Sequence, residues 1–223
     1  MESSQRKSSR HNSRNESEHT ILVATTNAGK VRELRAMLGG AVVWKTLADF
    51  PDVGEVEEDG ATFAENARKK ATEYAGTTGL WTLADDSGLV VDALGGAPGV
   101  QSARFSGDLP AGADRREIDR RNIAKLLRLL EGVPPEKRTA RFMCHLCLAS
   151  PERVLVETQG TVEGLIVDVP AGENGFGYDP VFFVGALGRT VAQLPDDEKN
   201  AISHRGNAIR RFIPLLNRLL AGP

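Results

Sequence analysis

Leu80-Trp81-Thr82-Leu83-Ala84-Asp85-Asp86-Ser87-Gly88 is an apolar run followed directly by two carboxylates and a turn-forming pair. The run predicts a buried strand from Trp81 to Ala84, and a second strand from Leu89 to Asp92 follows the turn. Two adjacent acids repel each other, and partial burial raises the pKa of one of them unless a cation lies near. The pair therefore points to Mg²⁺ or a lysine at this strand end. A plain turn with two solvated acids fits the same residues.

Strands alternate with helices in the first half of the chain, up to Leu130. The continuous apolar run Ile21 to Thr25 predicts a buried strand, and a helical stripe of apolar residues follows it. The other expected elements are a strand Ala41 to Trp44, helices Thr62 to Ala75 and Asp114 to Leu130, a hairpin of Thr139 to Ala149 and Arg153 to Gly164, and a closing helix Ser203 to Leu220 interrupted at Pro214. This order predicts an α/β fold in which the hairpin forms a second lobe, with a ligand cleft between the lobes.

Composition limits the protein class. Residues 1 to 19 hold almost no apolar side chain and are predicted to be a disordered tail, whereas residues 20 to 223 form a single two-lobed domain. A chain of 223 residues that is 40% apolar can bury a real core. The net charge of −2 argues against non-specific nucleic-acid or membrane-surface partners. No apolar run approaches the roughly 20 residues that span a bilayer, and we expect a cytoplasmic protein.

The two cysteines have the Cys-x-x-Cys spacing of redox and zinc sites. Cys144 and Cys147 lie in a segment whose period-two alternation predicts a strand. Residues three apart on a strand point to opposite faces, which defeats both a redox pair and a shared zinc ion. We expect both to be ordinary strand residues.

The turn Thr25-Thr26-Asn27-Ala28-Gly29-Lys30 has the chemistry of a phosphate cradle. It offers backbone N–H groups at a helix N-terminus, hydroxyl and amide side chains, and one lysine. It lacks the glycine spacing of a Walker A loop. A helix capped by Thr26 or Asn27 explains the same residues without a ligand.

Further polar clusters recur along the chain. Glu57-Glu58-Asp59-Gly60 precedes a helix on which Asn66 and Lys70 share a stripe that could face a cleft. Asn174-Gly175-Phe176-Gly177-Tyr178-Asp179-Pro180 sets two aromatic rings among glycines, so a ring could stack on a base, although packing corners use similar turns. Ser203-His204-Arg205-Gly206 opens the last helix, where donors meet the positive helix end, and Lys199 adds a cation nearby; ordinary surface polarity explains these equally well.

These segments together resemble the inosine triphosphate pyrophosphatase family. The resemblance extends from about Ile21 to Leu220, and six ordered motifs are far more specific than any one of them. In chain order the motifs are Thr25 to Lys30, Thr62-Phe63-x-x-Asn66 with Lys70, Ala84-Asp85-Asp86-Ser87-Gly88, Gly95-Gly96-Ala97-Pro98-Gly99-Val100 through Ser102-Ala103-Arg104, Gly175-Phe176-Gly177-Tyr178-Asp179-Pro180, and Ser203-His204-Arg205-Gly206.

The resemblance implies an elongated, two-lobed α/β fold around a mixed central sheet, usually a homodimer. It implies hydrolysis of the purine nucleoside triphosphates ITP, dITP and XTP to the monophosphate and pyrophosphate with Mg²⁺. By motif, Asp86 resembles the metal-linked general base, Glu58 its partner at the metal, and Lys70 a catalytic cation. The substrate-binding residues so implied are Thr25, Thr26, Asn27, Ala28, Gly29, Lys30 and Ser87 at the triphosphate, and Phe176, Gly177, Tyr178, Asp179, Lys199, His204 and Arg205 at the base.

The chain departs from the family pattern in two places. One is the charged tail before Thr20, and the other is Glu57-Glu58-Asp59-Gly60, where the family more often has Thr before the Gly. The second departure leaves the choice between Glu57 and Glu58 as metal ligand open. Two alternatives stand beside this interpretation: a related Maf-like pyrophosphatase for modified pyrimidine or guanine nucleotides, and a catalytically silent nucleotide-binding module.

Overall fold

The computed structural model describes residues 19–38, 42–107 and 114–222. The predicted tail therefore lies outside the described residues apart from His19, as does Ala41 of the predicted second strand. The helices of the described part are α1 (Ala28–Met37), α2 (Phe63–Thr78), α3 (Arg115–Leu129), α4 (Asp196–Ile202) and α5 (His204–Leu220). Its strands are β1 (Thr20–Ala24), β2 (Val43–Thr46), β3 (Trp81–Val91), β4 (Thr139–Ala149), β5 (Val154–Ile166), β6 (Phe182–Val184) and β7 (Arg189–Thr190).

The strands form one mixed sheet in the order β2-β1-β3-β4-β5-β6-β7. β1 is parallel to β2 and β3, and every later pair is antiparallel. Helix α1 connects β1 to β2, and helix α2 connects β2 to β3. Each helix carries the chain back to the end of the sheet at which the previous strand began, so these three strands run in the same direction. The predicted α/β class with a mixed central sheet is confirmed, as is the β4–β5 hairpin. In the described ranges, no helix is long and apolar enough to cross a bilayer.

β3 is one continuous strand, so the predicted turn at Asp85 to Gly88 is wrong. Antiparallel pairing with β4 continues from Thr82 opposite Ala149 to Val91 opposite Ala140. This ladder satisfies the backbone groups that a turn would leave unpaired. The pairing partner is distant in sequence, and the local Asp-Ser-Gly signal was therefore overridden by tertiary structure.

The two faces of β3 belong to different parts of the core. Leu83 packs with Phe212 of α5 in one buried cluster, whereas Ala84 packs with Ala71 of α2 in another. Because side chains alternate along a strand, Asp85 follows Leu83 toward α5 and Asp86 follows Ala84 toward α2. The adjacent carboxylates therefore do not lie side by side.

The same alternation separates the cysteines, as predicted: Cys144 lies in the cluster with α5 and Cys147 in the cluster with α2. The predicted interruption of the last helix is wrong. Pro214 lies inside α5, which runs unbroken because Phe212 and Leu216 pack its inner face onto the sheet. Pro214 itself is exposed, so water can reach the carbonyl group that its missing N–H leaves unpaired.

Gly160 and Gly76 provide a test of this packing. A Cβ at Gly160 of β5 would lie 2.5 Å from the backbone nitrogen of Ala208 in α5, whereas a Cβ at Gly76 of α2 would meet nothing within 4 Å. We expect Gly160→Ala to lower the free energy of unfolding by about 1–3 kcal/mol through overpacking. Gly76→Ala should raise it by about 0.5–1 kcal/mol because Ala favours helix. Urea unfolding of both variants measures this, and equal effects would contradict the close contact of α5 with β5.

Candidate active site

A cavity of about 300 Å³ opens where β1 ends. β1 stops at Ala24 opposite Ala84, but β3 continues to Val91, so the backbone of β3 beyond Ala84 has no strand on that side. Most of the predicted site residues line this cavity: Thr25, Thr26, Asn27, Lys30, Glu58, Lys70, Asp86, Ser87, Phe176, Gly177, Tyr178, Asp179, Lys199, His204 and Arg205. Its size suits a small-molecule ligand.

Two predicted residues, Ala28 and Gly29, are not on the cavity wall. Ala28 lines a neighbouring depression between α1 and the segment after β2. Gly29 lies beneath the aromatic loop, since a Cβ there would be 2.5 Å from Cδ1 of Phe176. Gly29 therefore permits the Phe176 ring to pack on the start of α1.

The predicted phosphate turn forms a capped helix start. Oδ1 of Asn27 accepts from the N–H groups of Gly29 (2.9 Å) and Lys30 (3.2 Å). Those two amides already have an acceptor, and Asn27 and Lys30 also bring side-chain donors to the cavity wall. The capping interpretation of the sequence is confirmed, and the phosphate-binding one stays a prediction.

Asp86 lies in a buried cluster with α2. Nζ of Lys70 is 3.2 Å from Oδ1 of Asp86 and 2.5 Å from Oε1 of Glu58, and Nδ2 of Asn66 donates to Oδ2 of Asp86 at 3.2 Å. Burial raises the pKa of Asp86 above the ordinary value, and the charge of Lys70 offsets only part of that effect. Burial lowers the pKa of Lys70, but Asp86 and Glu58 outweigh it and the net shift is upward. Lys70 is therefore charged, and Asp86 is a carboxylate with enhanced proton affinity.

Asp85, on the other face of β3, is the centre of a buried ion network. Its carboxylate contacts Nζ of Lys30 at 2.5 Å and Nε of Arg205 at 2.7 Å, and accepts from Ser87 and from the thiol of Cys144. Burial alone would raise the pKa of Asp85, but Arg205 and Lys30 hold it well below its usual range. Asp85 is therefore a permanent anion that positions the two cations.

Glu33 of α1 completes this network, although the sequence analysis did not single it out. Its carboxylate bridges Arg205 and Nζ of Lys199, the latter at 2.7 Å, and Lys199 also contacts Oδ2 of Asp179 at 2.6 Å. Burial opposes ionisation of Glu33, yet Arg205 and Lys199 keep its pKa below the ordinary value. No local sequence pattern marks Glu33, because its partners Lys199 and Arg205 are distant in the sequence.

The network occupies donors that the sequence interpretation assigned to the base. The Arg205 side chain is 1% exposed, and its nitrogens contact Asp85, Glu33 and Ser87. The ammonium of Lys199 contacts the carboxylates of Glu33 and Asp179, which occupy two of its three N–H donors. Both residues line the cavity, but their observed partners are internal carboxylates and their contact with a base stays a prediction.

The aromatic loop is held from two sides. Oδ2 of Asp179 accepts from the N–H of Phe176 at 2.8 Å, and Oδ2 of Asp119 in α3 accepts from the N–H of Gly177 at 2.7 Å. Nζ of Lys199 lies 4.6 Å from the centre of the Phe176 ring. The hydroxyl of Tyr178 donates to the carbonyl of Ser102, so Tyr178 contributes packing more than an open polar group.

His204 has a buried nitrogen without a hydrogen-bond partner among the described residues. Its ring stacks on Phe142 with centroids 5.0 Å apart, and Nδ1 is unpaired. Burial, aided by the charge of Arg205, holds the pKa of His204 well below its usual range. His204 therefore places a neutral imidazole on the cavity wall, and its buried Nδ1 has no hydrogen-bond partner among the described residues.

The carboxylates at Lys70 fit a magnesium ion. Glu58 and Asp86 both contact the ammonium of Lys70, whereas Glu57 is exposed and does not line the cavity. In the described residues, no group of three or more His, Cys, Asp or Glu side chains could hold a metal by itself. Mg²⁺ is commonly held by one or two carboxylates together with substrate phosphates, which matches this donor set.

The fold and the site define the class: an α/β protein with a cavity lined by lysines, arginines and carboxylates. The Ham1 family model matches residues 21–215. The chain belongs to the Ham1 family, which confirms the resemblance drawn from its motifs, and it is an enzyme.

Named relatives cover nearly the whole chain. The dITP/XTP pyrophosphatase of Geobacter sulfurreducens is 54% identical over 190 residues, which are 85% of this chain and 92% of that protein. The dITP/XTP pyrophosphatase of Geobacillus kaustophilus is 50% identical over 203 residues, 91% of this chain and 96% of that protein. A solved HAM1 protein from Coxiella burnetii matches with a TM-score of 0.79 at 39% identity, covering 89% of this chain and 98% of that one.

Removing the central anion should destabilise the protein. Asp85→Asn leaves Arg205 and Lys30 buried without their shared carboxylate, and we expect the free energy of unfolding to fall by about 3–5 kcal/mol. Asp92→Asn is the matched control. Asp92 directly follows β3 and pairs with Arg141, but the Asp92 side chain is 44% exposed. Its expected cost is below about 1 kcal/mol. Denaturant unfolding of both variants measures this, and similar costs would contradict the central position of Asp85.

Proposed function

We propose that the protein is a Mg²⁺-dependent nucleoside triphosphate pyrophosphatase that hydrolyses ITP, dITP and XTP to the monophosphate and pyrophosphate. One observation carries the proposal: Asp86, a buried carboxylate of raised pKa, shares a cavity with lysines at positions 30 and 70. The names of the relatives support the same substrates. The cytoplasmic location and the homodimer expected from the sequence are part of the proposal and untested.

In the proposed reaction, water attacks the α-phosphorus. Asp86 accepts a proton from the water while the water oxygen forms its bond to phosphorus. The bond from that phosphorus to the oxygen bridging to the β-phosphorus breaks, and pyrophosphate leaves with the electron pair. Burial raises the pKa of the Asp86 carboxyl, and general-base catalysis is most efficient when the pKa of the base lies near the working pH.

Positive charge near the phosphates supplies the rest of the catalysis. The ammonium groups of Lys70 and Lys30 each form an ion pair with a carboxylate in the structure, and both would also interact with phosphate oxygens of the substrate. Asp86 and Glu58 would hold Mg²⁺, which would supply neutralisation of the phosphate charge and lower the pKa of water at the site. Positioning and charge stabilisation, more than covalent chemistry, would then account for the rate.

The base would bind beside the aromatic loop. Phe176 offers a ring for stacking, and the neutral imidazole of His204 lines the same cavity. Hypoxanthine and xanthine carry a carbonyl at C6 that accepts from donors such as Lys199, whereas the amino group of adenine donates there. A buried donor that meets another donor costs roughly 1–3 kcal/mol, so adenine is rejected.

Replacing the general base tests the reaction. We expect Asp86→Asn to reduce kcat for ITP by about 10²- to 10⁴-fold at saturating Mg²⁺, because Asn cannot accept the proton. Pyrophosphate release measures the rate. The melting temperature should not fall, because the variant removes a carboxylate whose ionisation burial disfavours. If the variant keeps more than about a tenth of the wild-type kcat, Asp86 is not the general base. If the wild-type protein itself releases no pyrophosphate from ITP, the protein is a catalytically silent binding module.

Substrate choice is tested with four nucleotides side by side. We expect kcat/KM for ITP and XTP to exceed the values for ATP and GTP by at least about 10²-fold. The C6 carbonyl separates ITP from ATP, and exclusion of the guanine 2-amino group near Phe176 to Asp179 separates it from GTP. Equal use of GTP and ITP would indicate a general nucleoside triphosphate pyrophosphatase instead. Arg205→Ala is not a clean specificity test, because it leaves Asp85 and Glu33 buried without their cation.

A further inference from the structure

Arg104 lies on the cavity wall but has no place in the mechanism above. It ends the short 3₁₀ segment Gly99–Arg104, which packs directly on β3. Oγ of Ser102 accepts from the N–H of Leu89 at 2.9 Å, and a Cβ at Gly88 would lie 2.7 Å from the carbonyl oxygen of Gly99. Only glycine at position 88 permits this approach. The backbone that carries Arg104 is therefore fixed relative to Asp86, two residues before Gly88 on the same strand.

The guanidinium of Arg104 is held in place by neutral acceptors. Its Nε donates to Oε1 of Gln101 at 2.7 Å, and its Nη2 donates to the backbone carbonyl of Glu58 at 2.9 Å. Its Nη1 has no hydrogen bond to a described residue, and the nearest carboxylate contact is Oε2 of Glu58 at 3.9 Å. Two anchors fix the plane of the group and leave donor capacity open.

This arrangement differs from that of the other cations on the cavity wall. Lys30 and Lys70 each have a carboxylate oxygen at 2.5 Å, and Arg205 is enclosed by Asp85 and Glu33. The Arg104 side chain is 47% exposed and makes no ion pair that close. Its charge is therefore less neutralised than theirs, and a fixed guanidinium with free donors suits the oxygens of a phosphate group.

We propose that Arg104 binds phosphate oxygens of the triphosphate substrate and of the pyrophosphate product. The inference rests on the proposed function and names a residue at the phosphate end of the same site. Its contact with the Glu58 carbonyl places it at the carboxylates that flank Lys70. Arg104 would thus add to binding of the leaving group without taking part in proton transfer.

Pyrophosphate binding tests the inference directly, and it does not require turnover. Isothermal titration of the full chain with pyrophosphate in the presence of Mg²⁺ gives the dissociation constant for wild type, Arg104→Gln, Arg104→Lys and Arg141→Gln. Arg141 is the matched control, a half-buried arginine of β4 that pairs with Asp92 and Glu163 outside the cavity. A second titration with inosine reports on the base end of the site.

We expect Arg104→Gln to weaken pyrophosphate binding by about tenfold to a hundredfold, the usual effect of losing a charged hydrogen bond. Arg104→Lys should lie between this variant and wild type, because it keeps the charge but loses the fixed plane. Inosine binding, the melting temperature and the Arg141→Gln variant should stay unchanged.

Two results would overturn the inference. One is a pyrophosphate affinity of Arg104→Gln within twofold of the wild-type value. The other is an equal loss of inosine and pyrophosphate affinity together with a lower melting temperature, which would show that Arg104 has a structural role. Failure of the proposed function has a different signature, because the wild-type protein would then release no pyrophosphate from ITP whatever Arg104 does.

Discussion

The buried ion network around Asp85 is the interaction on which the site depends. Asp85 holds Lys30 from the start of α1 and Arg205 from the start of α5, while Glu33 joins Arg205 to Lys199. Three segments that are far apart in sequence are thus fixed around one strand. Buried ion pairs add little net stability over apolar packing, but leaving one partner unpaired is costly, so their effect is to fix geometry.

The fold favours the ionised form of the carboxylate at the centre of this network. The pKa of Asp85 is lower in the folded protein than its ordinary value of 3.8. A carboxyl group of this kind stabilises the fold above its unfolded pKa, and the contribution is lost only as the pH falls through the folded pKa. The cations that surround the cavity therefore keep their positions, and ligand binding does not have to order them.

β3 gives its two neighbouring aspartates opposite properties. Asp85 meets two cations on the α5 face and is a permanent anion, whereas Asp86 meets one shared lysine on the α2 face and has a raised pKa. Successive side chains of a strand point to opposite faces of the sheet, so the two carboxylates can lie in different environments although they are neighbours in sequence. The same strand thus supplies a structural ion to one side and a candidate base to the other.

The sequence by itself determined the chemistry and most of the elements. Apolar periodicity identified β1, α2, α3 and the β4–β5 hairpin, because those signals are local. Six ordered motifs identified the family, and most of the site residues that the family implies line the cavity. Tertiary structure decided what depends on distant partners. Pairing with β4 made β3 continuous where an Asp-Ser-Gly sequence favoured a turn, and packing on the sheet carried α5 through Pro214. Glu33 joined the site only because folding brought it to Arg205, and the contact of Arg104, a residue of one motif, with Glu58 is likewise encoded by no local pattern.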